Sequence, residues 1–253
     1  MRIKAFASRN IKELIRDPLS YIFCLGFPLV MLVIMSFIGQ SIPKEAGNEV
    51  FTVQNQSAGT AVFGLAFVML FSALLISKDR TSALLSRLFA SPMKSVDFII
   101  GYTLPLVIIA VAQLAVNFVS SLVIGAVMGE SFDVLKMLLS MLVHIPTIFM
   151  FIGFGTIFGS LFNEKSSPGI SSIIVSLAPI LGGVWMPVDV MGGVILDIAK
   201  VFPFYHAVKA SRTLLSGSGD GVALSVLYLS AWAAVVFAAS IFVFKAKMRS
   251  EKK

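Results

Sequence analysis

Residues 59–77 read GTAVFGLAFVMLFSALLIS, nineteen positions without one charged side chain. A helix rises about 1.5 Å per residue, so such a run covers about 28 Å, close to the thickness of a bilayer's hydrocarbon core. The run is continuously apolar. It does not alternate every second residue, which argues against a barrel strand. Five further stretches have the same character: 19–38, 103–128, 138–162, 168–186 and 222–244. Charge or Gly/Pro/Asn punctuation bounds each of them. The expectation is an all-α polytopic membrane protein with six transmembrane helices in a single domain, 1–253.

The composition around these runs agrees. The chain is 57% hydrophobic and 13% charged, with mean hydropathy +0.94. Soluble domains carry about 25% charged residues, and half that number cannot cover a water-exposed globule. The formal charge of +7 does not point to nucleic acid, because the cations sit beside the hydrophobic runs. Fifteen of the twenty Lys and Arg fall on one side: the N-terminal arm, the 78–102 connection, Lys165 and the tail. That bias predicts both termini in the cytoplasm, for a chain expected to sit in the plasma (inner) membrane. Cys24, the one cysteine, excludes an internal disulfide and a cysteine-based metal cluster. The first apolar run is too long for the core of a cleavable signal, and no small-residue cleavage site follows it.

Two segments outside the spans have their own character. In 1–17, Ile3, Phe6, Ala7, Ile11, Leu14 and Ile15 recur at helical spacing, with Arg2, Lys4, Arg9, Lys12 and Arg16 opposite them. Such a helix lies in the interface and meets anionic lipid headgroups. A simple topogenic anchor and a further role are both open for it. Asp17-Pro18 ends it. In 187–221, an apolar patch is interrupted by Asp189, Asp197, Lys200 and Pro203. It is too short and polar to span, which predicts a re-entrant or interfacial segment on the outer side.

Chemistry-bearing motifs are scarce. The sequence lacks a G-x-x-x-x-G-K-[ST] loop, an H-E-x-x-H pair and a G-x-S-x-G elbow, so nothing supports nucleotide hydrolysis, a zinc site or a serine hydrolase in this chain. His144 is the one plausible ionisable group inside a span, which argues against ion-coupled transport. Gln113, Asn117, Thr147, Ser171, Ser172 and Ser176 are polar and uncharged. They fit either a weakly polar pathway or interhelical hydrogen bonding. Gly155 and Gly159 form a G-x-x-x-G pair that lets helices approach closely.

The cytoplasmic connection reads SKDRTSALLSRLFASPMKSVDFIIGY, residues 77–102. Asp79-Arg80, Arg87-Leu88, Ser91-Pro92 and Gly101 resemble the pattern of the ABC type-2 exporter permeases. Ser82-Ala83 stand where that pattern has a glycine, and Lys78 where it has an acid. The stretch FGSLFN at 158–163, the run GGVWMP at 182–187, and FPFYHA at 202–207 followed by RTLL at 212–215 resemble the same family. The resemblance implies a non-catalytic half-transporter. Its partners would be ABC ATP-binding subunits carrying ATP and Mg, and a second permease chain in a homo- or heterodimer. It implies coupling to the ATPase through Asp79, Arg80, Leu84, Arg87, Leu88, Ser91 and Pro92, with Arg9, Lys12 and Arg16 on the interfacial helix. Arg80 and Arg87 would either pair with acids on the motor or act as positive-inside anchors. Gln113, Asn117, Thr147, Ser172 and Ser176 are the candidate pathway residues, and Pro187, Pro203, His206 and Arg212 mark the outer re-entrant segment. The expected cargo is an amphiphilic or hydrophobic small molecule: a drug, antibiotic, peptide or lipid-like compound. An ion-coupled carrier or channel without a motor is the alternative. A membrane-embedded enzyme would have to rest on the sparse grouping Asp189, Asp197 and His206, and a non-transport anchor would need no motor partner.

Overall fold

The computed structural model describes residues 2–43, 48–82, 93 and 95–250. All regular structure among them is helical. The elements are α1 (Arg2–Arg16), α2 (Pro18–Ser41), α3 (Val53–Thr81), α4 (Ser95–Met128), α5 (Val134–Leu161), α6 (Ser167–Leu181), α7 (Val188–Met191), α8 (Gly193–Val201), α9 (Pro203–Ser216) and α10 (Val222–Ser250). Five of them, α2 to α5 and α10, are long and apolar enough to cross a bilayer. Leu84, Arg87, Leu88, Ser91 and Pro92, expected to take part in coupling, lie outside the described residues.

Local chemistry explains where α2 starts and where it deforms. Asp17 accepts hydrogen bonds from Leu19 N at 3.1 Å and Ser20 Oγ at 2.9 Å, and Pro18 occupies the first helical position, where no N–H is needed. One turn on, Ile22–Gly26 widens into a π-helical turn. Pro28 lies just beyond it. Its ring crowds the carbonyl four residues back and it has no N–H to offer that carbonyl, so the wider turn relieves both faults.

α3 is the centre of the bundle. In its most apolar window 89% of residues are buried, against 22% for α10. Two close approaches put it there. Gly155 and Gly159 of α5 lie on α3, and a Cβ on either would come within 2.5 Å of Met69 O or 2.7 Å of Ala73 O. The contacts advance together along both chains, so α3 and α5 run parallel. α4 is antiparallel to α3, with Gln113 against Gly64 and Asn117 bonded to Thr60. α10 covers the other side of α5, with Phe237 at 5.6 Å from Phe149.

The helix ends sort to two ends of the bundle. One end, here the terminal end, gathers α1, Asp79, Tyr102 and Phe244. The opposite end gathers the start of α3, Glu130, Arg212 and Leu215. α6 is only fifteen residues long, about 22 Å, shorter than the 168–186 run predicts. Gly182 and Gly183 stop it, the latter at φ +65°, where a side chain would be strained. The flanks of α6 nonetheless reach both ends. Thr81 Oγ1 lies 3.4 Å from Glu164 Oε2 at the terminal end, and Gln56 Nε2 donates to Val184 O at 3.2 Å at the opposite one. α9 lies antiparallel along α5 from Phe151 back to Lys136. Phe204 stacks on Phe151 at 5.7 Å, Ser211 meets Ser140 at 2.5 Å, and Gly217 lies against Lys136.

Alanine has a better intrinsic helix propensity than glycine by about 1 kcal/mol, so the α3–α5 contact can be tested against that gain. Gly155→Ala and Gly159→Ala should lower the thermal midpoint in detergent. Gly169→Ala, whose Cβ would meet nothing within 4 Å, should leave it unchanged or raised. Equal behaviour of the three variants, followed by fluorescence-detected size exclusion after heating, would contradict the contact.

Candidate functional site

The most connected polar cluster lies where α1 docks on the terminal ends of α3 and α4. The apolar face of α1 buries Phe6, Ala7 and Leu14. Phe6 packs edge-on to Phe98 at 5.6 Å and to Tyr102 at 4.9 Å. Gly101 permits that contact, since a Cβ there would stand 2.3 Å from Phe6 Cδ1. Asn10, fully buried, donates to Gly101 O at 3.0 Å. Asp79 ends α3 with its side chain 1% exposed. It accepts from Arg9 Nη1 at 2.6 Å and Tyr102 Oη at 2.8 Å. Glu13 extends the cluster, pairing with Arg9 and, at 2.9 Å, with Lys78. One carboxylate therefore ties α1, α3 and α4 together. Burial pulls the Arg9 guanidinium down. Its hydrogen bond to Asp79 and the charges of Asp79 and Glu13 outweigh that and hold it above its usual range.

Arg80, next to Asp79, points to a different partner. Its Nη1 donates to Gly159 O at 3.0 Å, to Phe162 O at 3.3 Å and to Ser160 O. These are carbonyls at the C-terminus of α5, where a cation complements the helix dipole. The pairing with a motor acid that the sequence suggests for Arg80 would have to compete with this cap. Lys12 and Arg16 are exposed. With Glu13, Lys78, Phe71 and Leu74 they line a cavity of about 830 Å³ beside the cluster, polar at one wall and apolar at the other.

The candidate pathway residues do not form one surface. Asn117 donates to Ser57 O at 2.9 Å and is bonded to Thr60 at 2.8 Å, so it is an interhelical tie between α4 and α3. Gln113 lies one turn along, against Gly64. Thr147 is fully buried in α5, as is His144. Ser172 and Ser176 sit on the exposed face of α6, away from that interior layer. At the opposite end, Pro187 precedes α7 and Pro203 opens α9. His206 Nε2 lies 2.9 Å from Lys200 O, with its ring on Tyr228. Burial holds the imidazole below its ordinary range. Arg212 Nε donates to Asn55 O at 3.2 Å.

Sequence reasoning passed over Asn10, Glu13 and Tyr102, the partners that give Asp79 and Arg9 their setting. It also passed over an aromatic cluster. Phe23 and Phe27 of α2 meet Phe63 and Phe67 of α3, and Trp185 closes on Phe63 at 5.3 Å. Two Phe pairs at i, i+4 in successive runs are a readable signal, because such pairs share a helix face. Phe23 and Phe27 remain 38% and 39% exposed.

The interior layer makes opposite predictions for neighbouring residues. Both ring nitrogens of His144 are buried without a partner among the described residues. His144→Leu should therefore raise thermal stability, by about 1–3 kcal/mol. Asn117→Leu breaks two bonds and should lower it by about 1 kcal/mol. Denaturation of the purified chain in detergent measures both. A loss of stability in His144→Leu would show that the imidazole is paired.

Comparison with known proteins identifies the family. A family model described as "ABC-2 type transporter" matches residues 1–215. The chain is also similar to "Putative transport permease YvfS" of Bacillus subtilis (strain 168), 30% identical over 82 residues. That stretch is 32% of this chain and 33% of YvfS, so the match spans about a third of the relative's length. Five bilayer-length apolar helices, an amphipathic α1 locked to their ends and a family match over most of its length lead to one conclusion: the chain is a multi-pass membrane protein and belongs to the ABC-2 type transporter family.

Proposed function

We propose that the chain is the membrane half of an ATP-driven exporter that moves an amphiphilic or hydrophobic small molecule out of the cytoplasm or the inner leaflet. Family membership supports an ATP-binding partner subunit, on which ATP and Mg would be bound and hydrolysed. In this reading the terminal end faces the cytoplasm, the family's usual motor side and the side on which the Lys and Arg concentrate. α6 with its flanks makes a sixth crossing, and α7 to α9 form a re-entrant segment on the outer side. A second permease chain completes the pathway.

The observation that carries the reading is the lock of Arg9, Glu13, Lys78, Asp79 and Tyr102. It joins α1 to the two spans on either side of the 78–102 connection, and Arg80 joins the end of α5 to the same place. A soluble motor that pushes on α1 or on the connection would move three spans as one body. Nucleotide can drive the change only if the motor contacts one arrangement more favourably than the other, and this rigid plate gives it a surface to discriminate. The half-exposed Phe23 and Phe27 on the aromatic cluster offer stacking area for an apolar cargo.

Two experiments test the reading. Tagged chain solubilised gently from its native membrane should bring a protein of nucleotide-binding size, with ATP hydrolysis. Recovery of the chain alone, both in detergent and after cross-linking in the membrane, would remove the motor and favour an ion-coupled carrier. The second experiment is on Arg9→Gln. Losing one partner of a buried pair costs about 3–5 kcal/mol. Arg9 is 37% exposed, and screening brings the expected cost to about 1–2 kcal/mol. In the reconstituted complex, ATP hydrolysis should persist while transport per ATP falls by about an order of magnitude. Unchanged coupling would sink the lock as a transmission element.

A further inference from the structure

At the opposite end, α9 and the turn after α6 enclose a second cavity of about 270 Å³. Arg212, Lys209, Asp189, Tyr205 and Gly183 stand in its wall. Arg212 is anchored on one side only. Its Nε donates to Asn55 O, while Nη2 is buried without a partner among the described residues. Asp189 forms no ion pair with it. Instead Asp189 Oδ1 accepts from Tyr205 Oη at 2.6 Å. Lys209 extends over the Tyr205 ring with Nζ 5.5 Å from its centre. The wall thus carries two cations and one carboxylate that is already engaged. Burial pulls the Arg212 guanidinium down to about 10 even against the nearby charge of Asp189, and an incoming anion would offset the burial that remains uncompensated.

We infer that this cavity is a binding site for a phosphate-type oxyanion, held by the unpaired side of Arg212 and by Lys209. The fork of a guanidinium matches two oxygens of one oxyanion, and the lysine adds a point charge. The volume lies below that of pockets for drug-sized molecules, about 300–1,000 Å³, and suits a headgroup. Val190, the residue after Asp189 of the wall, is 81% exposed, an apolar neighbour on which an acyl chain could lie. A phospholipid headgroup and free phosphate share the recognising chemistry. The inference stands apart from the exporter reading, because it needs neither a motor nor a transport direction.

The test uses the purified full chain in nanodiscs and follows its thermal midpoint. Wild type, Lys209→Gln and Arg212→Gln are compared. In one arm inorganic phosphate is titrated into phosphatidylcholine discs at constant ionic strength, with chloride as the control. In the other, phosphatidylglycerol discs replace phosphatidylcholine without added phosphate. A saturable rise with phosphate, weakened about tenfold in Lys209→Gln and absent in Arg212→Gln, supports a free oxyanion as occupant. A rise with phosphatidylglycerol alone, lost in both variants, supports the site with a lipid headgroup in it. If neither arm exceeds chloride or phosphatidylcholine, or if the variants respond as wild type does, the site is overturned. Lys209 is exposed and its replacement gives up only a surface contact with the Tyr205 ring, so that variant decides the matter if Arg212→Gln fails to fold.

Discussion

A carboxylate removed from water at the end of the most buried helix has to be paired, and Asp79 is paired twice, by a guanidinium and by a phenol. An uncompensated charge there would cost more than most single packing contacts return. The pairing dictates much of its surroundings. Arg9 reaches Asp79 only if α1 lies across the ends of α3 and α4. That placement requires Gly101, because Phe6 occupies the space a side chain would fill. Asn10 satisfies the carbonyl at the same point. The amphipathic helix is therefore more than a float on the interface. Its polar face is half interior, and the hydrophobic stripe that marks it as interfacial is the face that holds it to the bundle.

The same economy of charge operates at the other helix ends. Glu130 places both carboxylate oxygens on the first N–H groups of α3, at 2.9 Å and 3.2 Å. Asp133 caps α5 from within its own turn, and Asp17 caps α2. Arg80 supplies the matching cation at the C-terminus of α5. Each ion complements the sign of the helix end it meets, and each satisfies backbone groups that lipid could not. Charged residues are few in this chain, and several of them are spent on helix ends where an apolar solvent offers no alternative.

What could be read from the sequence follows from what hydropathy measures. Length and mean polarity locate 59–77 and its companions because crossing a bilayer is a one-dimensional requirement. They place α6 less well. The apolar run continues past Leu181, but Gly182 and Gly183 end the helix there, and backbone conformation has no hydropathy. Gln113 and Asn117 were legible as one face at i, i+4, and Asn117 does bond across to α3. Whether that face meets a helix or a pathway is set by which neighbour arrives, and no local pattern encodes that. Asp79 and Arg80 are adjacent in sequence yet face different helices, since successive helical positions diverge by about 100°. A motif treats them as a pair, but the fold divides them.

α3 connects these observations mechanically. Pro105, Pro146 and Pro179 lie inside α4, α5 and α6, at positions where helices readily bend. α3 has no proline over its 29 residues and is gripped at both ends, by Arg9 and Tyr102 on Asp79 and by Glu130 and Arg212 on its first turns. A buried helix without proline, held this way, resists bending in the middle. Displacement of α1 would be carried along it to the opposite end, where Arg212 holds α9 against Asn55. The proline-bearing neighbours are the elements able to yield. Proline thus marks α4, α5 and α6 as the neighbours able to bend around a central helix that carries none.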